Sequence, residues 1–248
     1  MARQAGGLQL EGTIGNMIFY KMNGKYYVRS KGAPSKAKLK KGKAFENSRR
    51  VSAEFGHASK MASKVVHAAK PLMNPGNHTG LHGKLTEQLQ RVLQTDRQSA
   101  YGDRKISLGD LSLLEGFDFE QTKLKSHLIA LPKIKSSQRD IKVDFSGMKI
   151  LDPRSVPEGA SHFRLDMVSV IFDEQKMSGQ TMDLKGQNQL LSVPLSALGT
   201  IVLPKPHAET DDSVFLILLG LVFLQEVNGE MHELSGKRSV GVIAAFRL

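Results

Sequence analysis

Apolar positions recur with different periods along this chain, and each change of period marks a new part. Residues 13–22 (TIGNMIFYKM) and 25–30 (KYYVRS) are rich in aromatic and β-branched side chains. Between them stands Asn23-Gly24, the dipeptide that most readily takes positive φ at both centres of a type I′ turn, so a β-hairpin is predicted. A two-residue turn fixes the register: Met22 faces Lys25, Tyr20 faces Tyr27, Phe19 faces Val28 and Ile18 faces Arg29. One face then carries Met17, Phe19, Tyr26 and Val28. The other carries Ile18, Tyr20 and Tyr27, flanked by Lys25 and Arg29. Neither face is plainly polar, so both are expected to meet a partner.

From 44 to 70 the period becomes helical. Phe45, Val51, Phe55, Ala58, Ala62, Val65, Val66 and Ala69 recur at three- and four-residue steps until Pro71 ends the run. Arg49, Arg50, His57, Lys60, Lys64 and His67 gather on the opposite side. Residues 71–80 (PLMNPGNHTG) form a turn-rich break. A second helix is predicted over 81–95, with Leu81, Leu85, Leu89, Val92 and Leu93 on one side, and a short helical turn over 107–114, where Ser107 and Asp110 have N-cap spacing.

From about residue 117 the pattern is β. Ile141, Val143 and Phe145 alternate with Lys142 and Asp144. Apolar runs at 162–172, 201–203, 214–227, 231–234 and 239–247 are punctuated by Asp-Pro, Pro-Glu-Gly, Asn-Gly and Ser-Gly-Lys turns. Gly220, inside the longest run, suggests a bulge or bend. The expected fold is α+β: a basic N-terminal β-hairpin and linker, a short helical segment, and a C-terminal antiparallel β-sandwich. The expected parts are 1–74, 75–116 and 117–248.

Charge sharpens this picture. Fifteen Lys or Arg stand against three acidic residues in the first 70 positions, whereas the rest of the chain carries 20 basic and 21 acidic side chains. An excess confined to one end is suited to an anionic surface or to threading between subunits. Residues 31–43 (KGAPSKAKLKKGK) hold six Lys, two Gly and one Pro and read as an extended basic linker. The longest uncharged apolar run, 214–224, has eleven residues, short of the roughly 20 a membrane-crossing helix needs. Residues 1–7 lack the apolar run of a secretory signal. With no Cys, disulfides, thiolate metal sites and a cysteine nucleophile are excluded. A cytoplasmic protein without a membrane partner is expected.

No motif for catalysis, metal or cofactor survives inspection. His78 and His82 are four apart, but no Glu-containing HExxH frame surrounds them. Gly42-Lys43 ends a lysine-rich stretch, yet a phosphate loop needs Gly at 37 and Ser or Thr at 44, and both are Ala. There is no G-x-S-x-G elbow. Asp211 and Asp212 are adjacent, Glu226 and Glu230 flank a turn, and Asp118 with Glu120 shares one strand face; none of these pairs converges on a substrate by default.

Two non-enzymatic readings of the basic end follow. In the first, the hairpin and arm engage a partner subunit, building a homo-oligomer or larger assembly. In the alternative, Tyr20 and Tyr27 stack on bases while cations hold phosphates, giving mostly sequence-independent nucleic-acid binding. The candidate residues are shared: Tyr20, Lys25, Tyr27, Arg29, Lys36, Lys38, Lys40, Lys41, Arg49, Arg50, Lys60 and Lys64. The opening G-T-I-G-N-M-I-F-Y-K-M-N-G-K-Y-Y-V-R-S, the Lys-rich stretch, Arg49-Arg50 with Phe55, and V-P-E-G-A-S-H-F at 156–163 resemble an uncharacterised bacterial family. That resemblance implies an N-terminal hairpin, helices and a C-terminal β-sandwich, and carries no activity or site residues.

Overall fold

A computed structural model describes residues 2–248 except 33, 35, 77, 129, 138, 149–152, 177 and 206–209. Positions 33 and 35 of the predicted linker, 77 of the predicted break and Asp152 of the Asp-Pro turn therefore lie outside the described residues. The chain is α+β and divides into two compact units, Met1–Arg49 and Arg50–Leu248. The sequence suggests three parts instead, with breaks near 74 and 116.

The first unit is a four-stranded antiparallel sheet in the order β1-β4-β3-β2, formed by β1 (Ala2–Arg3), β2 (Gly12–Ile14), β3 (Met17–Met22) and β4 (Lys25–Ser30). The predicted strand over 13–22 is two strands, because Gly15 at φ 55° turns the chain and lays β2 back against β3. The predicted hairpin register holds in every pair, with Asn23 at φ 52° and Gly24 at φ 75° supplying the type I′ geometry. Among the described residues of this unit none is buried.

The lysine-rich segment corrects the expected extended linker, since Lys36–Lys41 is a helix (α1) followed by a 3₁₀ turn, Lys43–Phe45. Ala, Leu and Lys are good helix formers, and the free carbonyls at the end of the helix find a donor outside the segment. Arg49 Nη1 donates to the carbonyls of Leu39 and Gly42, each at 2.9 Å, placing a cation on the negative end of the helix.

In the second unit, α2 (Glu46–Ala69, entered from the first unit) and α3 (Leu81–Thr95) have nearly the predicted bounds. Ala58, Met61, Ala62, Val65, Ala68 and Ala69 of α2 are buried, but Val51 and Phe55 are exposed (46% and 51%). The apolar stripe of α2 thus outruns the core beneath it. The predicted turn at 107–114 shrinks to a 3₁₀ turn, Leu111–Leu114, capped by Asp110, whose carboxylate accepts from the Ser112 N–H. The Ser107 N–H is spent elsewhere, on Glu174.

The 117–120 stretch is no strand. Asp118 makes one isolated bridge, to Gly241, and accepts from the Leu124 N–H at the start of a four-residue helix, α4 (Leu124–His127); Glu120 accepts from the Asn74 N–H. A three-stranded antiparallel sheet has the order β10-β6-β5, from β5 (Lys133–Ser136), β6 (Asp140–Asp144) and β10 (Thr200–Pro204). The larger, curled sheet has six strands: β7 (His162–Asp173), β8 (Ser178–Leu184), β9 (Gln189–Leu190), β11 (Ser213–Val227), β12 (Glu230–Glu233) and β13 (Ser239–Arg247). In it β11 pairs with β7 along one side and with β12 and β13 along the other.

The central strands of the large sheet, β7 and most of β11, are buried on both faces, which is why β11 reads as one continuous apolar run. Phe215, Ile217, Leu219 and Phe223 join Ile141 and Val143 of the small sheet, and Phe145 just beyond it, in one core. Val214, Leu216 and Leu218 join Val168, Val170 and Phe172 of β7 and the buried faces of α2 and α3 in the other. The bulge expected at Gly220 lies instead between Ile217 and Leu218, opposite Ile243. There the faces of β13 exchange: Val240 and Val242 meet the helices, Ile243 and Ala244 the other core. Gly220 serves close packing, since a Cβ there would sit 3.2 Å from Leu72.

Candidate partner-binding site on the N-terminal sheet

The hairpin brings four of the candidate residues onto one face. Tyr20 and Tyr27 form a direct cross-strand pair whose rings stack at 5.8 Å between centroids with 25° between planes. The Arg29 guanidinium lies 6.0 Å from the Tyr20 centroid, and Lys25 stands exposed beside the turn. On the opposite face Lys21 Nζ lies 5.1 Å from the Tyr26 centroid. Both tyrosines are half-buried, and the strands around them expose Ile14 (61%), Met17 (54%) and Met22 (45%).

The arm residues Lys36, Lys38, Lys40 and Lys41 lie on α1, whose residues are all exposed where described. At about 100° per residue they surround the helix and do not share one face. Lys25, Lys36, Lys40 and Lys41 make no ion pair with a carboxylate among the described residues. The Arg49 guanidinium caps α1.

Arg50, Lys60 and Lys64 belong to the second unit. Lys60 and Lys64 are exposed one turn apart on α2. Arg50 lies under Gly102, where a Cβ would come within 2.6 Å of its Cγ; with φ at 102°, that position requires glycine.

The second unit holds a polar cluster that sequence reasoning does not find. A cleft of about 420 Å³ is lined by Glu54, His57, Arg104, Lys105, Glu174 and Asp212, among others. Glu174, with a side chain 3% exposed, accepts from the N–H groups of Ile106 and Ser107 at 2.7 Å and meets His57 Nε2 at 2.5 Å. Asp212 accepts from Gln175 Nε2 at 2.8 Å and Lys105 Nζ at 2.6 Å, which hold its carboxyl below the usual 3.8. Glu54 accepts from the Gly102 N–H at 2.8 Å. Each carboxylate is therefore spent on the protein itself, fastening the 102–107 loop to α2 and to the ends of β7 and β11. Partners so distant in sequence leave no local motif. His78 and His82 are likewise each bonded to a backbone carbonyl, of Asn74 and Ser59.

What the N-terminal sheet offers is a stacked aromatic pair and cations whose charge the described residues leave uncompensated, all at the surface. Such a face suits a planar or apolar group bordered by negative charge. No family model, no curated protein and no solved structure matches the chain.

Proposed function

We propose that this chain is a non-enzymatic assembly module whose basic N-terminal sheet engages a partner subunit. The observation that carries the reading is the want of any buried side chain among the described residues of 2–49, although they form four paired strands. A sheet of that size is stable when one of its faces is packed. Here Ile14 and Met17 stay more than half exposed and Met22 nearly half. A partner surface supplies the missing burial, and eleven basic against two acidic side chains in residues 1–49 require that surface to be acidic. Light scattering on the purified, nuclease-treated chain tests this at micromolar concentration. A defined oligomer is expected; a strict monomer refutes the reading.

The stacked Tyr20–Tyr27 pair with Arg29 above it supports a second reading, as a platform for single-stranded nucleic acid. Binding would then weaken steeply with salt, and Lys→Gln changes at 36, 38, 40 and 41 would flatten that slope. Retention of the oligomer after nuclease treatment separates the two.

A further inference from the structure

In the large sheet of the second unit, β8 and the two-residue β9 on one side and β12 on the other have outward edges without a strand partner among the described residues. The outward edge of β13 is covered, because Gly116 and Phe119 donate N–H bonds to the carbonyls of Val242 and Val240. Free edges readily accept a neighbouring chain. Charge separates the two. Lys176 and Lys185 flank β8. Residues 225–233, the ribbon that ends β11 and runs into β12, hold Glu226, Glu230 and Glu233 and no Lys or Arg.

That ribbon projects beyond the core. Every residue from 225 to 233 is exposed, and Asn228 at φ 53° with Gly229 at φ 84° closes it in a type I′ turn. Glu226 lies opposite Met231 and Val227 opposite Glu230, so one face carries Glu226, Glu233 and the exposed Met231, and the other Glu230 and the exposed Val227. Glu233 is held by Arg164 and Arg238. Glu226 and Glu230 meet only His162 (3.9 Å) and His232 (3.8 Å) among the described residues.

Acidic and apolar on each face, the ribbon complements the basic N-terminal sheet with its exposed methionines. Two such basic sheets facing each other in a symmetric dimer would repel. We propose that the β11–β12 ribbon of one copy docks on the N-terminal sheet of a second copy, giving head-to-tail assembly; this rests on the assembly reading above. A heterologous contact of this kind builds a closed ring or a filament, depending on the rotation between copies.

Charge exchange in the full chain tests the contact. Glu226→Lys with Glu230→Lys changes exposed positions, so the thermal melt should stay as in wild type while association weakens by about 10-fold or more. Adding Lys25→Glu and Arg29→Glu to the same chain should restore association, since the reversed charges meet again. If the ribbon variant assembles like wild type while Tyr20→Ala with Tyr27→Ala does not, the ribbon contact is refuted and the assembly reading stands. A monomeric wild type overturns both. An oligomer that disappears on nuclease treatment also overturns the proposal, with nucleic acid as the occupant.

Discussion

The two units are both built on antiparallel β-sheet, and they differ in what covers it. In the C-terminal unit the six-stranded sheet is packed twice, by helices on one face and by a second sheet on the other. Its β11 has twelve consecutive buried residues, 213–224. In the N-terminal unit the strands pair as well, but no described side chain is buried. Backbone pairing follows from turn chemistry and alternation, which are local. Burial needs a second layer, and besides the strands the described residues of 1–49 form a six-residue helix, a 3₁₀ turn and the first four residues of α2. One unit is therefore stabilised by its core, and the other depends on turns, cross-strand pairs and whatever surface it meets.

Removing a core aromatic should produce the largest effect. Phe172 is fully buried between the large sheet and the helices. Phe172→Ala should destabilise the C-terminal unit by about 3–5 kcal/mol, from lost burial plus the cavity left behind. Phe19→Ala, on a half-buried strand of the N-terminal sheet, should cost less than about 1 kcal/mol of total stability. Urea titration of both variants makes the comparison. Equal costs would mean that the contrast in burial has no energetic counterpart.

The same contrast governs what could be read from the sequence. The hairpin register, both Asn-Gly turns and the bounds of α3 were legible because each rests on neighbouring residues. The helical period of α2 identified an apolar face but not the extent of the layer below, so Val51 and Phe55 read as core and emerge exposed. Lysine density in residues 31–43 signals an open chain, yet Arg49 stabilises α1 by reaching back ten residues to the Leu39 carbonyl. The candidate aromatics and Lys25 were legible for the same local reason as the turn. Glu174 was not, because its partners His57 and Ile106 lie 117 and 68 residues away.

A smaller effect should come from Asp212, and it should depend on pH. Its carboxyl is held below the usual 3.8 by the Gln175 hydrogen bond first and the Lys105 bond next, with Arg247 3.9 Å away. A depressed folded pKa contributes stability that is fully present above the unfolded value and is lost as pH falls through the folded one. Asp212→Asn should therefore lower neutral-pH stability by about 1–2 kcal/mol. The difference from wild type should close as the pH drops below about 3.8. Denaturation midpoints across the acid range measure this; a gap that stays constant there would show that the ion pairs of Asp212 do not stabilise the fold.

The least effect on stability, with a large one on association, is expected at the stacked tyrosines. Their ring contact is worth about 0.5–1.5 kcal/mol beyond area burial, and it stabilises the N-terminal sheet alone. Opening of that sheet is local, so the C-terminal unit should keep its denaturation midpoint to within about 0.5 kcal/mol in Tyr20→Ala with Tyr27→Ala. Amide exchange should quicken across β3 and β4 and stay unchanged across β7 and β11. If the double variant instead weakened protection in β11, the two sheets would share their stability, and the N-terminal unit would be part of the core and not a surface awaiting one.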